Sequence, residues 1–310
     1  MRVLVTGGAG FIGSHVADAL LADGHDVAIV DDLSSGRREN VPERATFFEG
    51  DIRDGDFVER MFRDFSPEVI SHQAAQTSVS VSTREPIRDA EINVLGSLHV
   101  LDAAVRHKTH RIIFASTGGA IYGEVPENQR ATPEWSPKPL SPYACSKLAF
   151  EGYLRSYQHE HGLNYTILRY ANVYGPRQDP HGEAGVVAIF SERLAKGEGI
   201  RINAMREEGD DGCIRDYVYV DDVVAANRKA IAEELDAPIV NVATGEPTST
   251  KQLAERISAA LGVESSFGFG GRRAGDLERS VLEPGLGTKP VSLQEGIEKT
   301  TDWFNRRLGS

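Results

Sequence analysis

Apolar residues in the first half of the chain fall in short, β-branched runs. Longer stretches separate them, and there the apolar positions recur at helical spacing. The runs Arg2 to Thr6, Asp26 to Val30, Thr46 to Glu49, Val69 to His72, Arg111 to Ala115 and Tyr165 to Arg169 predict strands. Phe11 to Asp23, Asp89 to Arg106 and Tyr143 to His161 carry the helical period. Strands that are apolar on both faces and alternate with helices predict a doubly wound, mainly parallel α/β sheet. After residue 170 the pattern changes. Val186 to Lys196, Val223 to Glu234, Thr250 to Leu261 and Leu293 to Leu308 read as helices, and Ile200 to Asn203, Ile214 to Val218 and Ile239 to Val242 as short strands. The expectation is one domain over 1–170 and a smaller lobe over 171–310, with segments crossing back to the first domain.

The first strand runs into Gly7-Gly8-Ala9-Gly10-Phe11-Ile12-Gly13, and a helix follows. Glycine at 7, 10 and 13 permits a tight turn and a close backbone approach to a pyrophosphate. The helix start, at Phe11 and Ile12, aims free N–H groups at that anion. A Gly-rich loop alone is a weak signal. Here the second strand ends at Asp31-Asp32, where a carboxylate hydrogen-bonds adenosine ribose hydroxyls and repels a 2′-phosphate, which favours NAD over NADP. Arg37 and Arg38 lie beyond the carboxylates. The third strand ends at Gly50-Asp51-Ile52, where an adenine would lie: Asp51 either accepts from its amino group or begins the next helix as an N-cap, and Ile52 covers the ring. The fourth ends in Gln73-Ala74-Ala75-Gln76, small enough to pass close to a cofactor. His72 reads as a packed core histidine. Asn93 faces solvent or the back of the cofactor strand.

Tyr143 and Lys147 lie one turn apart on a helix face, so phenol and ammonium can share a pocket. A free phenol ionises near pH ~10, and a neighbouring cation brings it toward a useful range. Upstream, Ser116-Thr117 closes the fifth strand at the carboxyl edge of the sheet, where such folds bind ligands. Beyond the first half, Glu207 to Asp211 reads as a solvated acidic loop. Arg215 pairs with Asp216 or meets an anion. Phe267 to Asp276 reads as a flexible Gly-rich loop presenting arginine to a phosphate-bearing substrate.

The chain has 310 residues and a formal net charge of −12, which argues against nucleic acid and acidic membrane lipid as partners. Two cysteines make neither a disulfide framework nor a zinc pattern and fit a reducing cytosol. No apolar run reaches the ~18 residues of a membrane span. The N-terminus reads directly into a strand, with no signal peptide expected. No metal site is expected, and the expected location is cytoplasmic.

With Gly7/Gly10/Gly13, Asp31, Asp51-Ile52, Thr117 and Tyr143/Lys147 in this order, the chain resembles the extended short-chain dehydrogenase/reductase superfamily, which has a Rossmann-type sheet. Arg169 to Arg177, Arg215 to Val220 and Arg273 to Asp276 look most like the UDP-glucose (UDP-galactose) 4-epimerases. The resemblance implies NAD bound by Gly7, Gly10, Phe11, Ile12, Gly13, Asp31, Asp51, Ile52, Gln73, Ala74, Ala75, Asn93, Ser116, Tyr143, Lys147 and Tyr170. It implies a UDP-sugar held by Thr117, Asn172, Val187, Arg215, Tyr217, Arg273 and Asp276, with Thr117, Tyr143 and Lys147 catalytic. Related dehydratases and decarboxylases carry an acid just after the threonine, where this chain has Gly118-Gly119. UDP-glucuronate epimerisation and other NAD-dependent nucleotide-sugar oxidoreductase or dehydratase chemistry stand as alternatives. Ser280 falls where some relatives carry a bulky tyrosine, which implies room for a 2-acetamido group. The segment 283–290 is shorter than the usual family linker. The resemblance also implies a homodimer that pairs the 89–106 and 143–161 helices.

Overall fold

The computed structural model describes residues 1–181, 185–264, 266–273 and 275–308. Ala274, inside the predicted arginine-presenting loop, lies outside them. In chain order the strands are β1 (Arg2–Thr6), β2 (Asp26–Asp31), β3 (Thr46–Glu49), β4 (Val69–His72), β5 (Arg111–Thr117), β6 (Asn164–Tyr170), β7 (Asn172–Tyr174), β8 (Ile200–Asn203), β9 (Ile214–Tyr219), β10 (Ile239–Val242), β11 (Pro247–Ser249), β12 (Phe267–Gly270) and β13 (Arg279–Ser280). The helices are α1 (Phe11–Ala22), α2 (Gly55–Phe65), α3 (Val79–Arg84), α4 (Pro86–Ala90), α5 (Ser97–Arg106), α6 (Gly118–Ile121), α7 (Pro142–His161), α8 (Val186–Ala195), α9 (Val220–Ile231), α10 (Thr250–Leu261) and α11 (Leu293–Leu308).

The chain divides into two compact units that are interwoven in sequence. The first takes Met1–Thr117, Ser141–Arg169 and Val223–Val240, and the second Gly118–Leu140, Tyr170–Asp222 and Asn241–Ser310. The first is built on a seven-stranded sheet in the order β10-β6-β5-β4-β1-β2-β3. β1 pairs in parallel with both β2 and β4, so the strand order reverses there, and ligands of doubly wound sheets bind outside the carboxyl ends at such a switch point. Val3, Leu4, Val5, Val27, Ala28 and Ile29 are fully buried. That is why these runs are apolar at every position rather than alternately.

Segment 86–106 is helical as expected but not uniformly so. α4 passes into a π-helical stretch, Glu91–Gly96, before α5 begins. Gly96 sits against Ile52, and a Cβ there would lie 2.9 Å from the isoleucine side chain. π turns are rare inside helices and are frequent at functional sites, and this one contains the buried Asn93.

In the second unit β9 is central. It pairs antiparallel with β11, and in parallel with β13 along one part and with β7 along another. The register sets Asn172 opposite Tyr217 and Ser280 opposite Arg215. Two segments read as loops are therefore strands: β7, from the run after Tyr170, and β12, which pairs with β8. Short polar or glycine-bearing strands lack the apolar period that marks a strand, and their partners decide them.

Candidate active site

The glycine loop is closed by backbone bonds. Gly7 N–H donates to the Val30 carbonyl at 2.7 Å and Gly10 N–H to the Gly7 carbonyl at 3.1 Å. Gly7 has φ +67° and packs against Ala74, where a Cβ would come within 2.7 Å of the backbone nitrogen. A Cβ on Gly13 would lie 2.2 Å from the Gly7 carbonyl oxygen. Helix α1 opens on Gly10 with no side-chain cap and no acidic residue in its first turn. The N–H groups of Phe11 and Ile12 are thus presented to an anion, with no acidic side chain in that first turn. Glycine-only contacts and an uncapped helix start beside the switch point fit a dinucleotide pyrophosphate.

Asp31 is buried. It accepts from Ala9 N–H at 3.0 Å and Leu33 N–H at 2.9 Å. Burial pushes its carboxyl upward, and these backbone bonds pull it back. Each carboxylate oxygen keeps acceptor capacity for a ribose hydroxyl. The Asp51 carboxylate is taken by Arg53, whose Nε lies at 2.8 Å, and this pairing lowers its pKa. Asp54, not Asp51, is the N-cap of α2. Ile52 is buried beside Gly96. Thr6 Oγ1 takes the N–H groups of Gln73 and Ala74, both at 3.1 Å, and meets His72 Nδ1 at 2.7 Å. The Gln73 amide turns inward to Ser71 and Asn227, so its backbone rather than its side chain borders the loop. His72 bonds Ser97 through Nε2, stacks on Phe114, and is driven down to about 3 by burial. It is a neutral core residue, as the sequence suggested. Asn93 faces inward: it accepts from Gln76 N–H and donates to the Gln76 carbonyl, both at 2.9 Å.

Helix α7 carries the reactive pair. Ser141 caps it by accepting from Ala144 N–H, and Gly162 ends it in the left-handed conformation. Tyr143 keeps part of its surface open, and the Thr117 hydroxyl at the end of β5 hydrogen-bonds its phenol. Lys147 is buried. Its Nζ donates to the Ala115 carbonyl at 3.0 Å and lies 6.0 Å from the Tyr143 ring centre. Burial pushes Tyr143 up to about 12 and Lys147 down to about 8, so in the protein alone the phenol is neutral at pH 7. Proximity to the lysine does not ionise it. A cationic ring bound beside the phenol would favour the phenolate.

Two residues that matter here were not legible as site residues. Glu151, one turn beyond Lys147, accepts from Ser116 Oγ at 2.7 Å and from Arg169 Nε at 2.9 Å and Nη2 at 2.6 Å. Glu151 and Arg169 are both about fully buried, and together they lock α7 to the ends of β5 and β6. The spacing Tyr143, Lys147, Glu151 puts all three on one face, a signal that was present but unread. The Ser116 hydroxyl points into this pair.

In the second unit, Asn172 Nδ2 donates to the Asp216 carbonyl at 3.2 Å. Arg215 does not pair with Asp216. The Asp216 carboxylate is buried and accepts from Thr244 N–H and Oγ1 and from Gly245 N–H. The Arg215 guanidinium instead donates to the Ile214 carbonyl at 3.0 Å, and it has no carboxylate salt bridge among the described residues. Arg273 donates Nε at 2.8 Å and Nη2 at 2.9 Å to Asn203 when the amide oxygen is turned toward it. Tyr217 and Val187 are buried, as is Tyr170. Asp276 contributes its backbone carbonyl to Arg272 Nη2 at 3.2 Å. The acidic 207–211 loop is organised by Asp210, which accepts from the N–H groups of Met205, Arg206, Glu207 and Gly212 and is held down at about 2. Among the described residues there is no cluster of metal-ligating side chains.

Known proteins are similar to this chain over nearly its whole length. The family model for the NAD dependent epimerase/dehydratase family matches residues 3–243. UDP-glucose 4-epimerase of Thermus thermophilus, solved in complex with NAD, is 53% identical, with 98% of this chain and 99% of that chain covered and a TM-score of 0.94. UDP-glucose 4-epimerase of Thermotoga maritima, solved with UDP-glucose, is 46% identical, with 99% and 100% covered and a TM-score of 0.93. A UDP-glucose 4-epimerase of Mycolicibacterium smegmatis is 44% identical over 99% of both chains.

Proposed function

The chain belongs to the NAD dependent epimerase/dehydratase family, and from that premise we propose that it interconverts UDP-glucose and UDP-galactose through a transient 4-keto sugar. The observation that carries this reading is Thr117, Tyr143 and Lys147 brought together in the first unit, with glycines at 118 and 119 where an eliminating enzyme needs a proton-transferring acid. NAD, when bound, would supply the hydride acceptor and the hydride that is returned to the other face of C4. The remaining roles fall to this chain's residues. Tyr143 takes the proton of the 4-hydroxyl and gives it back, and Thr117 holds that oxygen. Lys147 keeps positive charge beside the phenol and binds the nicotinamide ribose. The loop at Gly7, Gly10 and Gly13 with the N–H groups of Phe11 and Ile12 holds the pyrophosphate of the cofactor. Asp31 holds the adenosine ribose, and its charge excludes a 2′-phosphate.

Asn172, Arg215 and Arg273 hold the diphosphate of the sugar nucleotide, with Val187 and Tyr217 beside the uridine. A fixed UDP lets the keto sugar present either face. Ser280 is small and lies in register with Arg215, and its size where some relatives carry a tyrosine extends the proposal to UDP-N-acetylhexosamines. Near-zero turnover of UDP-N-acetylglucosamine beside good turnover of UDP-galactose would remove that extension. The protein works as a homodimer through α7 and the 86–106 helical segment, where Ile87, Leu95 and Tyr153 are exposed. The two free cysteines agree with a cytoplasmic setting. No helix among the described residues is long and apolar enough to cross a membrane.

The test is incubation of the purified protein with UDP-galactose and catalytic NAD, with products resolved by chromatography. UDP-glucose should accumulate to an equilibrium mixture with no net absorbance change at about 340 nm. A keto sugar with stoichiometric NADH would instead identify a net oxidoreductase, and an unsaturated or 6-deoxy product a dehydratase.

A further inference from the structure

Asp89 ends up in the middle of the catalytic apparatus without touching it. It is fully buried, at the end of α4, and forms no salt bridge among the described residues. Three side chains satisfy it. Ser146 Oγ donates to its Oδ2 at 2.6 Å, and Gln76 Nε2 and Asn93 Nδ2 donate to its Oδ1 at 2.8 and 3.0 Å. Each donor belongs to a different part of the site. Ser146 precedes Lys147 on α7. Gln76 closes the loop that follows Gln73, Ala74 and Ala75. Asn93 lies buried in the π stretch, and it clamps both backbone groups of Gln76.

A buried carboxylate is costly compared with a neutral group that could take the same bonds. An asparagine at this position would satisfy all three neighbours, with its oxygen toward Gln76 and Asn93 and its NH₂ toward a rotated Ser146 hydroxyl. The negative charge therefore calls for a reason of its own, and its Ser146 donor adjoins Lys147 on α7, whose ammonium that charge favours. The groups around Lys147 are Tyr143 and the Arg169-paired Glu151 from α7, Asp89 from α4, neutral His72 from β4, and the Ala115 carbonyl and Phe114 ring from β5. Glu151 is already neutralised by Arg169, which leaves Asp89 as the charge not already matched by a salt bridge.

We propose that Asp89 is a positioning residue for this reaction. It fixes α7 to the cofactor-side loop through Ser146, Gln76 and Asn93, and its charge holds the Lys147 ammonium and restrains the Tyr143 phenolate until a cationic ring arrives. The inference rests on the epimerase reading for its kinetic arm only. The direction of the electrostatics agrees: Asp89 favours the cation on Lys147 and disfavours the anion on Tyr143, each against or with the larger effect of burial.

The experiment compares wild type, Asp89→Asn and Ser146→Ala. Asp89→Asn keeps the bonds and removes the charge, while Ser146→Ala keeps the charge and cuts the tie to α7. The first readout needs no turnover. In protein carrying ring-labelled tyrosine, with the Tyr143 resonance assigned by its loss in Tyr143→Phe, the ionisation midpoint of Tyr143 should fall by about one pH unit in Asp89→Asn and stay put in Ser146→Ala. The second readout is kcat against pH with UDP-galactose. The whole active range of Asp89→Asn should move to lower pH by a similar amount, and Ser146→Ala should lose about tenfold in kcat with KM within twofold and no shift in pH. Unmoved midpoints in Asp89→Asn would overturn the electrostatic role, and wild-type kcat in Ser146→Ala the positioning role. If wild type turns over no UDP-hexose, the epimerase reading fails, while the tyrosine titration still decides the role of Asp89.

Discussion

Tyr143 and Lys147 are pushed in opposite directions by the same burial, and both pushes disfavour the charged forms the reaction uses. The pair is therefore poised rather than active on its own. In the proposed mechanism Tyr143 accepts the 4-hydroxyl proton, and phenylalanine lacks the oxygen that does so. Tyr143→Phe should keep fold and NAD stoichiometry and lose about 10²–10⁴-fold in kcat, measured by product formation. His72 has a separate, structural effect. Unfolded, it takes a proton near 6.5; in the fold it does so only near 3. Between those values the unfolded chain binds more protons. Stability is thus complete above about 6.5 and falls as pH drops toward 3, by at most about 1.4 kcal/mol per pH unit. Denaturant midpoints between about pH 7.5 and 5.5 should show this slope, and His72→Gln should flatten it. At this scale the sequence was informative wherever residue type and spacing carry the chemistry: the glycines, Asp31, Thr117, Tyr143 and Lys147. It was silent on Asp89 and Arg169, because each acts through partners distant in sequence, and for Glu151 it offered only the helical spacing from Lys147.

Among the elements, α7 does the most to build the site, and its fixing to the sheet is specific. Glu151 and Arg169 form a fully buried pair with the Ser116 hydroxyl as a third member. Removing one partner strands a charge in the interior. Arg169→Met should destabilise by about 3–5 kcal/mol in chemical denaturation, and adding Glu151→Leu should recover much of that loss. The glycine loop allows an equally sharp test. Gly13→Ala places a methyl 2.2 Å from the Gly7 carbonyl oxygen, so the helix must move away from the loop. NAD binding, measured by calorimetry, should weaken by at least about tenfold while the overall fold persists. Elements with a long apolar period were read with nearly their observed ends, such as α10 and β4. The π stretch at Glu91–Gly96 and the strands β7, β11, β12 and β13 were not, since they exist by virtue of partners rather than of their own pattern.

At the scale of the whole molecule the chain leaves the first unit at Thr117, returns at Ser141, leaves again at Arg169 and returns for Val223–Val240. A single boundary near residue 170 marks one of these crossings and omits the others, because short crossings leave no mark in composition. Ile87 and Leu95 with Tyr153 of α7 remain exposed on the first unit, and their helical segments pack against each other. In sedimentation velocity the protein should run as a dimer of about twice 33.8 kDa, and Leu95→Glu with Tyr153→Glu should give a folded monomer. A wild-type monomer at micromolar concentration would remove the dimer from this account.

The central claim is that the configuration at C4 inverts through oxidation and re-reduction at that same carbon inside one protein. UDP-galactose carrying deuterium at C4, incubated in ordinary water with catalytic NAD, tests it most directly. The account predicts UDP-glucose that keeps its deuterium at C4, with none gained from or lost to solvent. UDP-glucose carrying ordinary hydrogen at C4 would contradict it, since inversion would then have proceeded by exchange with water.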